Sequence, residues 1–109
     1  MIKSIDEINF EKSGGLVPVI VQDANTKDIL TLAYTNKESL ELAKKTGNSW
    51  FWSRSRNKLW MKGEQSGNTQ KIKDILVDCD SDAIIYLVEP SGPACHTGEK
   101  VCFHNTLEK

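Results

Sequence analysis

Every cysteine of the chain (Cys79, Cys95 and Cys102), three aspartates at alternate positions (Asp78, Asp80 and Asp82) and one of the two histidines, His96, fall within the stretch DCDSDAIIYLVEPSGPACHTGEKVC, residues 78–102. Thiolates are soft ligands that suit zinc, whereas carboxylate oxygens suit hard cations such as magnesium or calcium. The stretch therefore reads as two metal stations side by side, one soft and one hard. If 78–82 is extended or tightly turned, Cys79 points away from Asp78 and Asp80, and one short segment can serve a metal on either side. Glu89 stands twelfth from Asp78, as in a calcium-binding EF-hand loop. That reading fails, because Ala83 occupies the place where such a loop turns on glycine, and no helices flank it.

Three cysteines are odd in number and too few for a disulfide scaffold, so in a reducing compartment they are free thiols or metal ligands. Any one of them would be equally at home as a small hydrophobe in a core. Cys95 and Cys102 instead lie in a polar, glycine-containing segment around His96, which favours ligation. Structural zinc is closed by four protein ligands, while catalytic zinc keeps one position for water. His96 or His104 can supply a fourth ligand, and the missing fourth cysteine leans toward catalysis. Singly, each aspartate suits a solvated hairpin tip; three in alternation beside a cysteine point toward magnesium.

The elements that position these residues read as an α+β domain, mainly antiparallel sheet with one or two short helices. Ser4-Ile5-Asp6-Glu7 has the form of a capping box and predicts a short helix, ended by Gly14-Gly15. Residues 16–22 are β-branched and carry Pro18 near their start, which an edge strand or a strand opening tolerates. Asp23 to Thr26 is turn chemistry, and 29–34 is the returning strand. Thr35 or Asn36 caps a helix through Lys45 that stops at Gly47. In SWFWSRSRNKLW, residues 49–60, alternation puts Trp50 and Trp52 on one face of a strand and Phe51 and Ser53 on the other. A polar turn, Arg54 to Asn57, follows. The loop 62–68 offers two glycines, Lys62 and a hydroxyl, the groups that approach a phosphate closely. Residues 70–77 and 83–88 pair as an antiparallel hairpin with Asp80-Ser81 at its turn, and 90–93 deliver the Cys95–Cys102 loop.

With 109 residues, 39% hydrophobic and 27% charged, the chain is one ordinary globular domain with a modest core. A formal net charge of -1 excludes a protein built to coat nucleic acid or an anionic membrane. The interleaved tryptophans and arginines of 49–60 suggest single-strand binding, but the patch is short and the chain slightly acidic. No apolar run reaches the length of a membrane span, and MIKSIDEINF lacks a signal-peptide core, so a cytoplasmic location is expected.

Together, WSRSRNKLW (52–60), KGEQSG (62–67), DCDSD (78–82), GPACHTG (92–98) and VCF (101–103), with the simpler QDANT (22–26) and AYTN (33–36), resemble the phosphoribosyl-AMP cyclohydrolase family of histidine biosynthesis. The likeness runs from about Leu16 to Phe103, giving a single domain over 1–109 with its core in 16–104. It implies hydrolytic opening of the adenine ring of 1-(5-phosphoribosyl)-AMP between N1 and C6. It also implies zinc on Cys79, Cys95 and Cys102, magnesium on Asp78, Asp80 and Asp82, and a homodimer whose zinc ligands come from both chains. The substrate's two phosphates give Arg54, Arg56 and Lys62 a role, with Glu64 and Ser66 as further substrate-binding candidates. Thiolates blunt zinc's effect on water, so an auxiliary base is useful; His96 is the candidate, with orientation of its loop as its other role. Asn68 stands where many members have histidine, and Phe51 where tyrosine is common. Many relatives carry a fused domain that hydrolyses phosphoribosyl-ATP, which is not expected within these residues. The competing reading is a non-catalytic, zinc-stabilised module that holds a nucleotide or RNA on the Trp/Arg segment.

Overall fold

The computed structural model describes residues 1–109. Strands β1 (Val17–Asp23), β2 (Ile29–Thr35), β5 (Gln70–Val77) and β6 (Ile84–Pro90) form one sheet in the order β2-β1-β6-β5. Helix α1 (Lys37–Thr46) and the separate hairpin of β3 (Trp50–Ser53) and β4 (Lys58–Met61) lie between β2 and β5 in the chain. Three of the four strand pairings are antiparallel; the central pair, β1 with β6, is parallel. The expected α+β class with mainly antiparallel sheet is thus observed, with one α-helix.

Alternation along β1 and β6 builds the core. Val17, Val19 and Val21 on β1 and Ile84, Tyr86 and Val88 on β6 are buried on one face, because a strand's side chains alternate and these six share a phase. Leu40 and Ala43 of α1 join the same cluster. Phe51 ties in the β3–β4 hairpin: it is fully buried, 5.0 Å from the Trp60 ring and 5.7 Å from that of Tyr86, whose hydroxyl donates to the Trp50 carbonyl at 3.1 Å. Helix α1 starts where the Asn36 side chain accepts the Ser39 amide at 2.8 Å and stops at Gly47, whose φ of 76° is the left-handed conformation of a helix end.

Three local expectations change. The capping box at Ser4 yields a single 3₁₀ turn, Ile5–Glu7, with the Glu7 carboxylate accepting the Ser4 amide at 2.6 Å. One turn nucleates no α-helix, since it fixes several dihedrals for one hydrogen bond. Strand β1 is interior rather than at an edge. Pro18 is tolerated there because it pairs only with Tyr34 of β2, and pairing with β6 begins one residue later, at Val19. Finally, the apolar run of residues 83–88 becomes a strand that continues to Pro90.

Two bulges decide which side chains face outward. One, between Ile72 and Asp74, reverses the alternation of β5, so that Ile72, Ile75 and Val77 pack on the core and Leu76 is left 41% exposed. The other, between Val21 and Gln22, lets Leu30 enter the core and leaves Leu32 44% exposed. Leu32, Ile20, Ile85 and Leu76 are register partners in turn, so they make one apolar row across all four strands on the face opposite the core.

The loop between β4 and β5 closes on itself at Gly63, whose φ is +85° and whose added Cβ would collide with the backbone of Asn68 and Thr69. Gly47 also has positive φ but open space around it. Gly63→Ala should therefore lower the unfolding free energy by about 3 kcal/mol, and Gly47→Ala by only about 1 kcal/mol. Urea denaturation of the two variants checks the ranking.

Candidate metal centre

The aspartates sit in the turn between β5 and β6. Asp78 Oδ1 accepts the amides of Asp82 (2.9 Å) and Ala83 (3.2 Å), and Ser81 takes a left-handed φ of 63° at the tip. This folding brings carboxylate oxygens of Asp78, Asp80 and Asp82 within 4.8 Å of one another. Three carboxylates so close cannot all ionise freely. Hydrogen bonds shared with Asp82 and Asp78 hold Asp80 above the usual carboxylate range, while Lys12, then Asp78 and Asp80, bring Asp82 down to about 2. An all-oxygen set of this kind fits a hard divalent cation.

The sequence carried no sign that the N-terminal arm holds this turn. Lys12 Nζ lies 2.5 Å from Asp82 Oδ2 and 3.7 Å from Asp80 Oδ2, and Asn9 donates its amide to the Ser81 carbonyl at 2.8 Å. Lys3 Nζ donates to the carbonyls of Asp78 (3.2 Å) and Cys79 (3.0 Å) and to Ser81 Oγ (2.6 Å). These partners are some seventy residues apart in the chain, beyond the reach of any local pattern.

Cys79 is exposed in the same turn, whereas Cys95 and Cys102 are half-buried in the loop that follows β6. Strand β6 separates the two places. It is seven residues long, which spans roughly 20 Å. The structure thus brings Cys95 and Cys102 together and leaves Cys79 at the far end of the strand. Cys95 Sγ accepts from Thr97 Oγ1 at 3.0 Å and meets His104 Nε2 at 3.8 Å. Thr97 above all, with His104 and the neighbouring Cys102 thiol, brings the Cys95 thiol down to about 6. The thiolate is the form that ligates a metal, so two cysteines beside an imidazole fit soft, zinc-like coordination. His96 is exposed and makes no hydrogen bond; the imidazole beside Cys95 is that of His104.

The substrate-binding candidates divide along the same line. Arg54 lies at the tip of the β3–β4 hairpin, its guanidinium 3.8 Å above the Tyr34 ring. Tyr34 pairs with Pro18, next to the end of β1 where β6 begins, so Arg54 belongs to the aspartate end. Arg54 also borders a cleft with Trp52, Asn36, Asn57 and the Gly14-Gly15 turn. Arg56 lies 6.0 Å from the Trp60 ring centre. The loop of Lys62, Glu64 and Ser66 belongs to the cysteine end: Ser91 donates its amide to the Thr69 carbonyl at 2.8 Å, and the Asn68 side chain packs on Gly92, three residues before Cys95. Lys62 is half-buried, and Glu64 and Ser66 are exposed. A small cavity between the arm, α1 and β5 is lined by apolar residues, Ser4 and two lysines, with no cysteine, histidine or carboxylate.

The family model for phosphoribosyl-AMP cyclohydrolase matches residues 31–104. A phosphoribosyl-AMP cyclohydrolase of Nitrosopumilus maritimus is 84% identical over 108 residues, covering 99% of this chain and 100% of that protein. One from Cenarchaeum symbiosum is 76% identical over 107 residues, covering 98% and 99%. The histidine biosynthesis bifunctional protein HisIE of Bacillus subtilis is 60% identical over 102 residues, covering 94% of this chain and 48% of that longer protein.

The hydrogen bond from Thr97 has a direct consequence for reactivity. In metal-stripped protein, alkylation of Cys95 by iodoacetamide should rise with a pH midpoint near 6, against about 8.5 for an ordinary thiol. Thr97→Val should move that midpoint upward. Peptide mapping across the neutral pH range measures it, and a Cys95 midpoint at the ordinary thiol value in the parent protein would refute the arrangement.

Proposed function

The chain belongs to the phosphoribosyl-AMP cyclohydrolase family, and we propose that it opens the adenine ring of 1-(5-phosphoribosyl)-AMP by hydrolysis between N1 and C6, a step of histidine biosynthesis. The end-to-end identity of 84% with a curated member carries this reading. It favours turnover over a non-catalytic nucleotide- or RNA-holding module. Zinc belongs on Cys79, Cys95 and Cys102, and magnesium on Asp78, Asp80 and Asp82. When bound, zinc supplies the Lewis-acid chemistry that makes water nucleophilic near neutral pH.

The chain's own residues do the rest. His96, exposed and without a hydrogen-bond partner, is free to exchange a proton with the attacking water or the departing N1. Asn68 cannot take up a proton at neutral pH; its place against Gly92 makes it a brace for the Cys95 loop. Arg54, Arg56 and Lys62 bind the two phosphates, and Glu64 and Ser66 add a carboxylate and a hydroxyl on the loop that carries Lys62. No helix is long and apolar enough to cross a membrane, and three free thiols suit a reducing cytoplasm.

The active unit is a homodimer with each zinc site shared. Two observations support this. Cys79 and the Cys95–Cys102 pair lie at opposite ends of β6, and the phosphate-binding candidates are split the same way. The row Leu32, Ile20, Ile85 and Leu76 is an apolar face of the kind that a second copy covers.

Incubation of the metal-loaded protein with phosphoribosyl-AMP should add the mass of one water to the substrate without releasing ammonia. Substrate of unchanged mass would favour the binding module instead. Heterodimers of Cys79→Ser with Cys95→Ser, purified through two tags, test ligand sharing. One of their sites holds both lesions and the other holds none, so up to about half the parental activity per heterodimer should return if the sites are independent. Ligation within one chain predicts no recovery.

A further inference from the structure

The QDANT segment that ends β1 touches neither cluster of metal-ligating side chains, yet it holds a buried carboxylate. Asp23 is 5% exposed; its Oδ1 accepts the amides of Asn25 (2.9 Å) and Thr26 (3.1 Å), and its Oδ2 lies 3.6 Å from Lys100 Nζ. Lys100 Nζ also donates to Asp28 Oδ2 at 2.7 Å and to Thr26 Oγ1 at 3.3 Å. One ammonium thus binds three side chains of the β1–β2 turn. Burial pushes the Asp23 carboxyl up, but the two amides and Lys100 outweigh it and hold it below the usual range. Asp23 is therefore a fixed negative anchor.

Lys100 lies two residues before Cys102 and six after Ala94, the residue that precedes Cys95. Its carbonyl accepts the Ala94 amide at 3.1 Å, the Glu99 carbonyl accepts the Cys95 amide at 3.2 Å, and Cys102 donates its amide to the Leu30 carbonyl of β2 at 2.7 Å. The backbone of Lys100 thus joins the two arms of the loop, and its side chain fastens that junction to the β1–β2 turn.

We propose that Lys100 is a positioning residue for the soft metal station, holding Cys95 and Cys102 as a preorganised pair by its grip on Asp23, Thr26 and Asp28. The inference rests on the zinc reading above. Groups that orient metal ligands without touching the metal typically contribute roughly 10–100-fold to affinity. Lys100→Met removes the ammonium but keeps most of the side chain's bulk, and Lys100→Arg keeps the charge.

The test is zinc affinity by chelator competition, with the thiolate-to-cobalt charge-transfer band of cobalt-substituted protein as a second readout. Lys100→Met should weaken zinc binding by about tenfold or more and alter the band, while Lys100→Arg restores most of the affinity. If Lys100→Met fails to fold, Asp28→Asn, at the exposed end of the network, should weaken binding in the same direction by a smaller factor. Unchanged affinity and an unchanged band in a folded Lys100→Met, or in Asp28→Asn where it is the variant used, overturn the proposal while leaving the zinc reading intact. A parent protein that binds no zinc overturns both.

Discussion

Strand β6 is the constraint on which the rest depends. It is hydrogen-bonded on both sides, parallel to β1 and antiparallel to β5, so its length and direction are set by main-chain pairing and cannot relax. The turn before it carries the aspartates and Cys79, and the loop after it carries Cys95 and Cys102. Its seven extended residues span roughly 20 Å between the points where the turn and the loop attach. Zinc coordination needs its ligands about 2 Å from one ion, and within one chain the three cysteines do not come together as a cluster. The proposed sharing between two copies would bring them together.

The same strand bears on the surface through which copies would meet. Ile85, on its outward face, joins Ile20, Leu32 and Leu76 in the apolar row. Burying such side chains stabilises association by about 25 cal/mol for each Å² removed from water. A two-fold axis that runs across β6, rather than along it, reverses the strand's direction between copies, so an interface on this face is compatible with the proposed sharing.

Charge organises both ends. At one, the N-terminal arm sets Lys3 and Lys12 against a turn with three carboxylates. At the other, Lys100 fastens the cysteine loop to the β1–β2 turn. All these pairs are partly exposed and individually weak in stability terms. Their weight lies in holding irregular backbone, which has no sheet partners of its own, in one conformation.

The strands, the helix with its Asn36 cap and Gly47 stop, and the setting of Phe51 opposite Trp50 and Trp52 were legible because each is a local pattern: alternation, capping and β-branched composition act within a few residues. The concentration of thiolates and carboxylates in 78–102 was legible for the same reason, since ligand chemistry belongs to residue type. The parallel pairing of β1 with β6 was not, nor were the bulges that turn Leu76 and Leu32 outward against simple alternation. Those depend on which strand lies beside which. The grips of Lys12 on Asp82 and Lys100 on Asp28 join residues about seventy apart. Sequence alone thus determined which groups are available for chemistry and which segments are extended. Only the tertiary structure decided that Cys79 stands apart from Cys95 and Cys102, because a distance between two ends of a strand exists only once that strand is paired and held straight.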